Sequence, residues 1–388
     1  MTRSSDVIII GAGAVGAAAA YFCARAGLSV RIIDRGSAAS GTSSRCEGNI
    51  LVSDKESGPE LELANLSLEI LNGELLEYGS SWEFEKKGGI IVASRESSLA
   101  SLNRVVSHQK EHSINVEEIG VEDLTRLEPN ISSNAVGAAY YPDDSQVMPI
   151  KLVFKLLALA ETFGAQFLPH CTVHGFIRDK DRVVGVETDK GPLYANTVIN
   201  ATGPWSSAVA QLAGSNMPVE PRRGYVMVTE PLPPSVFHKV YAAEYVDNVG
   251  SSDAGLQCSP VVEGTPAGTI LIGSSREKVG FSEETNYTAL STMGRNALSL
   301  FPFLKRVKIL RHYFGFRPYS PDHLPSIGPD AAVPGLWHAT GHEGAGIGLS
   351  VGTGKILTQM LTEQPPSIDS AAFAPARFAH HLDSQEAQ

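Results

Sequence analysis

Six residues near the amino terminus limit the folds open to this chain more than any other feature. Gly11-Ala12-Gly13-Ala14-Val15-Gly16 follows an apolar run over 6–10 and opens an alanine-rich stretch over 15–26, which Gly27 stops. A second apolar run over 29–33 then ends at Asp34. Strand, glycine turn, helix and strand make one βαβ unit. In such a unit Gly11 permits the tight turn, Gly13 lets the backbone approach a diphosphate, and Gly16 lets helix and strand pack closely. The free amides and dipole of the helix start favour negative charge, and an acidic residue about 20 positions on takes the ribose hydroxyls. The alternative, an ordinary βαβ turn, does not account for Asp34 at that place. A bound dinucleotide is therefore predicted, with FAD and NAD both open, because each presents an adenosine ribose to the same carboxylate.

Beyond residue 34 the pattern changes twice. Helical spacing is predicted from 59 to 78, and Gly88 and Gly89 lead into a short strand over 90–93. A helix over 152–163 is closed by Gly164. Strands over 173–177 and 183–187, joined by residues 179–182, and then 197–200, read as a small antiparallel flap returning to the main sheet. From 215 to 310 alternating runs such as 224–229 and 269–274 lie between Pro- and Gly-rich turns, which predicts a mostly antiparallel second unit holding the substrate. After Gln364 the sequence is rich in Pro, Ser and Ala and is expected to be loosely held.

Composition narrows the partners. A net charge of -11 with no Lys/Arg run argues against nucleic acid, which needs clustered cations. Cys23, Cys46, Cys171 and Cys258 are scattered, with no CxxC pair and no His at metal-ligand spacing, as suits reduced thiols in the cytoplasm and no metal centre. There is no apolar run of transmembrane length and no leader-like start, so a soluble cytoplasmic protein is expected. Four scattered cysteines are also too few to carry an iron–sulfur cluster, so electrons must pass to oxygen, a quinone or another protein.

Four further segments give the pattern a family character. Residues 40–45 (Ser-Gly-Thr-Ser-Ser-Arg), 201–205 (Ala-Thr-Gly-Pro-Trp), 316–322 (Phe-Arg-Pro-Tyr-Ser-Pro-Asp) and 342–348 (His-Glu-Gly-Ala-Gly-Ile-Gly) follow the glycine motif in an order that resembles the D-amino acid oxidase family. Within it the chain looks most like the enzymes related to glycine oxidase, D-hydroxyproline dehydrogenase, opine oxidase and the hydrogen cyanide synthase flavin subunit. The resemblance spans nearly the whole chain and is weakest between 215 and 270.

That resemblance implies an α/β plus antiparallel architecture of the glutathione reductase-like FAD fold. A Rossmann-type FAD-binding domain from 1–50, 146–214 and 311–370 would interleave with a mixed, mostly antiparallel-sheet substrate domain from 51–145 and 215–310, leaving 371–388 as a loosely ordered tail. FAD, held without a covalent bond, would meet Gly11, Gly13, Ala14, Val15 and Gly16 at its diphosphate and Asp34 and Arg35 near its adenosine. Thr42, Ser43, Glu47 and Gly48 would lie toward the ribityl chain and flavin, with Val173 at the adenine and Gly203 and Trp205 completing the site. Cys46, in the same loop, is expected to be a buried, unreactive thiol.

The chemistry expected is oxidation of a carbon–nitrogen bond in a small D-, cyclic or N-substituted amino acid, of D-hydroxyproline, glycine or sarcosine type. Hydride would pass to flavin N5 and leave an imine. Amides of the second glycine-rich helix start, Gly344, Ala345, Gly346, Ile347 and Gly348, would face the flavin N1 and C2 carbonyl and stabilise the charge that collects there. Arg317 falls where the family grips the substrate carboxylate, a role that suits a planar guanidinium fork; a structural ion pair is the plainer alternative. Tyr319, with Tyr225, Tyr241 and Tyr245, is a candidate pocket wall, although any one tyrosine is more often core. His342 and Glu343 are expected to position and not to carry protons, while His380 and His381 read as solvated. Two other readings remain open: an NAD-dependent dehydrogenase, and a flavin subunit that passes electrons to a partner within a homo- or hetero-oligomer.

Overall fold

A computed structural model of the chain describes residues 4–112, 114–243 and 253–381. Two large sheets carry it. In the first, the strands Gln166–Leu168, Val30–Ile33, Ser5–Ile10, Gly191–Asn200 and Leu336–Thr340 run parallel in that order, and Ser326–Pro329 closes the edge antiparallel. Val7, Ile8, Ile9 and Ile10 in the central strand are all buried, as expected of a parallel strand covered on both faces. The predicted flap is present: Val173–Asp179 and Arg182–Thr188 pair antiparallel and lead into Gly191–Asn200, which joins the main sheet beside the first strand.

Helices pack on this sheet through small residues. Ala14–Arg25 buries Ala17, Ala18, Ala19 and Ala20 completely. The helix Gly346–Leu361 crosses it so closely that a Cβ on Gly354 would stand 2.7 Å from the Ala18 carbonyl carbon, and a Cβ on Gly352 would stand 3.0 Å from the Leu63 carbonyl oxygen of Pro59–Asn72. Two glycines therefore let one helix touch the backbone of two others. The predicted helix 59–78 ends at Asn72 and continues after Gly73 as a 3-10 segment, Leu76–Trp82. Although expected in the substrate domain, Pro59–Asn72 shares its core with the first sheet's helices.

The second sheet has eight strands, in the order Ile309–Tyr319, Glu220–Thr229, Ile270–Arg276, Gln257–Gly264, Lys239–Ala242, Gly89–Ala93, Gly137–Tyr141 and Glu117–Ile119. Each neighbouring pair is antiparallel except Lys239–Ala242 with Gly89–Ala93. Ile309–Tyr319 pairs along its length with Glu220–Thr229, so the boundary expected at 310/311 is corrected: this strand belongs to the second sheet. Helices Glu96–Glu111 and Tyr287–Leu300 were not anticipated. The second buries Ala289, Met293, Ala297 and Leu300, a helical spacing, and starts at an Asn286 side chain that accepts the Ala289 amide at 3.1 Å.

A second correction concerns the end of the chain. Residues 371–378 do not lie loose: Phe373 is fully buried in the main core, Phe378 is buried, and Arg377 donates to the Asp322 carboxylate and to the Leu324 carbonyl. Of His380 and His381 only the backbone is described, in a 3-10 turn.

Candidate active site

The two glycine-rich helix starts, more than 300 residues apart, line one cavity. Gly13, Ala14 and Val15 form part of its wall, and Gly344, Gly346 and Ile347 another part. Both helices begin at the carboxyl ends of parallel strands, Ser5–Ile10 and Leu336–Thr340, so their first turns converge from the same edge of the sheet. Thr42, Ser43, Glu47, Gly48, Gly203 and Trp205 complete the wall, and Arg317 reaches it from the second sheet.

An adjoining cavity shares Asp34, Thr42 and Trp205 with the first and adds Gly11, Arg35 and Val173. Together they make an elongated cleft. Each Asp34 oxygen already holds the loop, Oδ2 accepting from the Ala12 amide and Oδ1 from the Gly36 amide, both at 2.8 Å; further lone pairs are left for a ligand. The Arg35 guanidinium lies 4.3 Å over the Trp205 ring, whose other neighbour, Phe281, stacks at 5.4 Å and 8°. This aromatic layer beside the cleft was not foreseen, because Phe281 comes from the second sheet's connection.

Three glycines set the build of the turn and the cleft beside it. Gly11 has φ of 110°, and a Cβ there would overlap the Ala201 carbonyl oxygen. On Gly16 it would overlap the Gly11 carbonyl oxygen, so Gly16 serves the packing of the turn and does not line the cleft. A Cβ on Gly13 would stand 3.1 Å from Ser43 Oγ, which itself accepts the Ala14 amide at 3.0 Å. Ala345 and Gly348 face a separate small cavity with Asp54 and Lys55.

The tyrosines part company with expectation. Tyr225 is fully buried on the far face of the second sheet, its hydroxyl donating to the Glu284 carbonyl and accepting the Asn286 amide. Tyr241 is also core: its hydroxyl donates to Asp144 Oδ2 at 2.6 Å beside Ser53. Alternation explains Tyr225, since one step of register moves a strand residue to the opposite face; Tyr241 is on the inner face but is packed into the main core with Val261. Tyr245 lies outside the described residues. Tyr319 follows Arg317 by two positions and is buried outside the cavity wall, with Lys278 Nζ 3.7 Å above its ring and the Arg222 guanidinium 5.6 Å away.

Arg317 Nη1 donates to the Ser275 carbonyl at 2.8 Å, and a Cβ on Gly344 would stand 3.5 Å from its Nε. The guanidinium thus lies against the second glycine loop. Directly across the strand pair is Arg222, fully buried, which sequence reading missed. The available signal was Arg222-Arg223 just before Gly224 in an alternating run, which puts one arginine on each face. Arg223 does face away and pairs with Glu277 at 2.9 Å.

Titration is muted where the sequence invited it. Burial pushes the His342 imidazole down to about 3, and its Nε2 meets Thr353 Oγ1 at 2.9 Å, so it is neutral near pH 7. Burial also pushes the Cys46 thiol up to about 12, with the nearby Glu47 carboxylate adding to it, so no thiolate faces the cleft. All four cysteines are unbonded.

A family model described as FAD dependent oxidoreductase, DAO, matches residues 6–360. The chain belongs to this family. FAD is therefore its dinucleotide, and the NAD-dependent alternative falls. The residues present fit that group: a side chain at Gly13 would enter the cleft, and Glu47 Oε1, buried on its wall without a hydrogen-bond partner, suits a ring that carries an N–H donor. Among its relatives, the hydrogen cyanide synthase subunit HcnC of Pseudomonas aeruginosa is 29% identical over 97% of this chain and 97% of its own length. Glycine oxidase of the same species is 30% identical over 96% and 99%. The solved L-proline dehydrogenase of P. horikoshii superposes with a TM-score of 0.89 over 98% of this chain and 99% of its own, at 22% identity, which speaks for the fold alone. No helix among the described residues is long and apolar enough to cross a membrane.

Proposed function

We propose that this FAD-dependent oxidoreductase oxidises the carbon–nitrogen bond of a small amino or imino acid in the cytoplasm, with FAD held noncovalently. The observation that carries the reading is Arg317 on the cavity wall against Gly344, so that a carboxylate bound by its fork is anchored beside the second helix start. When bound, FAD supplies the acceptor for a hydride, and the substrate leaves as an imine that water hydrolyses. Arg317 fixes the carboxylate. The amides of Gly344 and Gly346 present fixed dipoles to the cavity, stabilising negative charge without reorganisation. Neutral His342 keeps the loop in place through Thr353 and takes up no further proton near pH 7. Roles for the remaining wall residues at the diphosphate, ribityl chain and adenosine follow the same proposal.

Anaerobic mixing of the yellow holoprotein with glycine, sarcosine, D-proline and D-hydroxyproline tests it. Bleaching of the flavin by one of them is the expected result; a flavin that none of these, nor a wider amino-acid panel, reduces would sink the reading. A second reading, a flavin subunit that passes electrons to a partner protein, draws on the likeness to HcnC, which is itself a subunit. Peroxide formed stoichiometrically by the isolated chain would exclude it.

A further inference from the structure

Glu343 is the one residue of the second glycine-rich loop that puts a charge on the cavity wall. Its backbone sits at φ of 45°, in the left-handed region that costs a residue with a side chain roughly 1 kcal/mol, and the rest of the fold maintains it there. Two groups flank the carboxylate. Oε1 is 3.0 Å from His323 Nδ1, and Oε2 is 3.9 Å from Arg222 Nη1. Arg222 is fully buried, with Nη2 donating to Gln257 Oε1 at 3.0 Å, while Nε and Nη1 have no hydrogen-bond partner. A buried guanidinium in that state needs an anion near it, and Glu343 supplies it ahead of Asp253. The neighbouring residue, Gly344, is the one that lies against Arg317.

We propose that Glu343 is the substrate's second anchor. Arg317 takes the carboxylate of a small zwitterion, and Glu343, aligned by Arg222 and His323, takes the cationic nitrogen on binding; that nitrogen then gives one proton to solvent water, so that it is the neutral amine that loses the hydride. This rests on the amino-acid reading above and deepens it. A wholly structural ion pair would be shut away from the cavity, whereas Glu343 lines it with its side chain 13% exposed. The arrangement also gives selectivity that Arg317 alone lacks. With cations only, a simple carboxylic acid would bind as well as an amino acid; a carboxylate on the same cavity wall attracts an ammonium group and repels a second anion.

The experiment uses holoenzyme, wild type and Glu343→Gln, each checked for full flavin content. Acetate and glycolate, which lack nitrogen, are titrated by their effect on the flavin spectrum, and KM is measured for whichever amino acid reduces the wild type. In Glu343→Gln the nitrogen-free ligands should bind within about twofold of wild type, while KM for the amino acid rises roughly tenfold, as for loss of one charge-assisted hydrogen bond. Glu343→Asp should retain most of the discrimination. Equal weakening of both ligand classes, or no change in either, overturns the assignment while leaving the amino-acid reading intact. A wild type that binds acetate but is reduced by no amino acid overturns both.

Discussion

Arg222 and Arg317 face each other across adjacent antiparallel strands, one sealed in the protein and the other open to the cavity. Two like charges directly opposite are unfavourable on an ordinary sheet. Here the two guanidinium groups have different partners. Arg317 is tied to the Ser275 carbonyl, and Arg222 is turned toward Gln257 and Glu343.

Arg317→Ala should leave FAD bound and lower kcat/KM for carboxylate substrates by at least about 100-fold, since two charge-assisted bonds of about 1.5–3 kcal/mol each are lost. Arg317→Lys should recover only part, because a point charge lacks the planar fork. Steady-state kinetics on flavin-replete protein decide this; normal turnover by Arg317→Ala removes it as the anchor.

Gly13→Val should abolish FAD retention. Its Cβ would already stand 3.1 Å from Ser43 Oγ, and the two further methyls would occupy the cleft at the helix start. The check is the ratio of flavin to protein absorbance after gel filtration; a fully yellow variant contradicts the diphosphate assignment.

The high pKa of Cys46 predicts that flavin is not tethered through it. Acid precipitation should release the flavin into the supernatant, and alkylation of Cys46 at pH 8 should be slow, because so little thiolate is present. Flavin that stays with the precipitated chain would refute this.

His342 makes folding sensitive to acid. Its folded pKa, about 3, lies below the unfolded value of about 6.5, so the unfolded chain binds the extra proton between those limits. Stability contributed by keeping it neutral is complete above pH 6.5 and is lost as pH falls toward 3, by up to about 1.4 kcal/mol per pH unit. Denaturant unfolding at pH 7.5 and 5.5 should therefore show a smaller loss for His342→Gln than for wild type. Equal losses would mean that His342 is not the group responsible.

Packing at the crossing of the two cofactor helices allows a further test. Gly354→Ala should lower stability by about 1–3 kcal/mol, since the added methyl meets the Ala18 backbone at 2.7 Å, and main chain cannot step aside as a side chain can. Thermal unfolding of the holoprotein reads the effect; an unchanged midpoint would show that the helices can separate without penalty.

Local chemistry made the first βαβ unit legible from the amino-acid order. Gly16 is demanded by the Gly11 carbonyl of the same turn and Gly11 by its φ of 110°, and Asp34 answers amides beside that turn, so a short stretch of sequence suffices to define them. The same holds for the flap and for the helix that begins at Gly346. Tyr225 was misplaced because a strand's period tells which residues share a face and not which face meets the cavity, and Tyr241 because the inner face extends beyond the cavity into the main core. Arg222 beside Arg317, Phe281 on Trp205, and Glu343 between His323 and Arg222 join segments tens to more than a hundred residues apart, and only pairing of Ile309–Tyr319 with Glu220–Thr229 brings most of them together. Glycines at two helix starts follow from the order of residues; the charges gathered at and behind the cavity wall depend on register between distant strands, which no local pattern encodes.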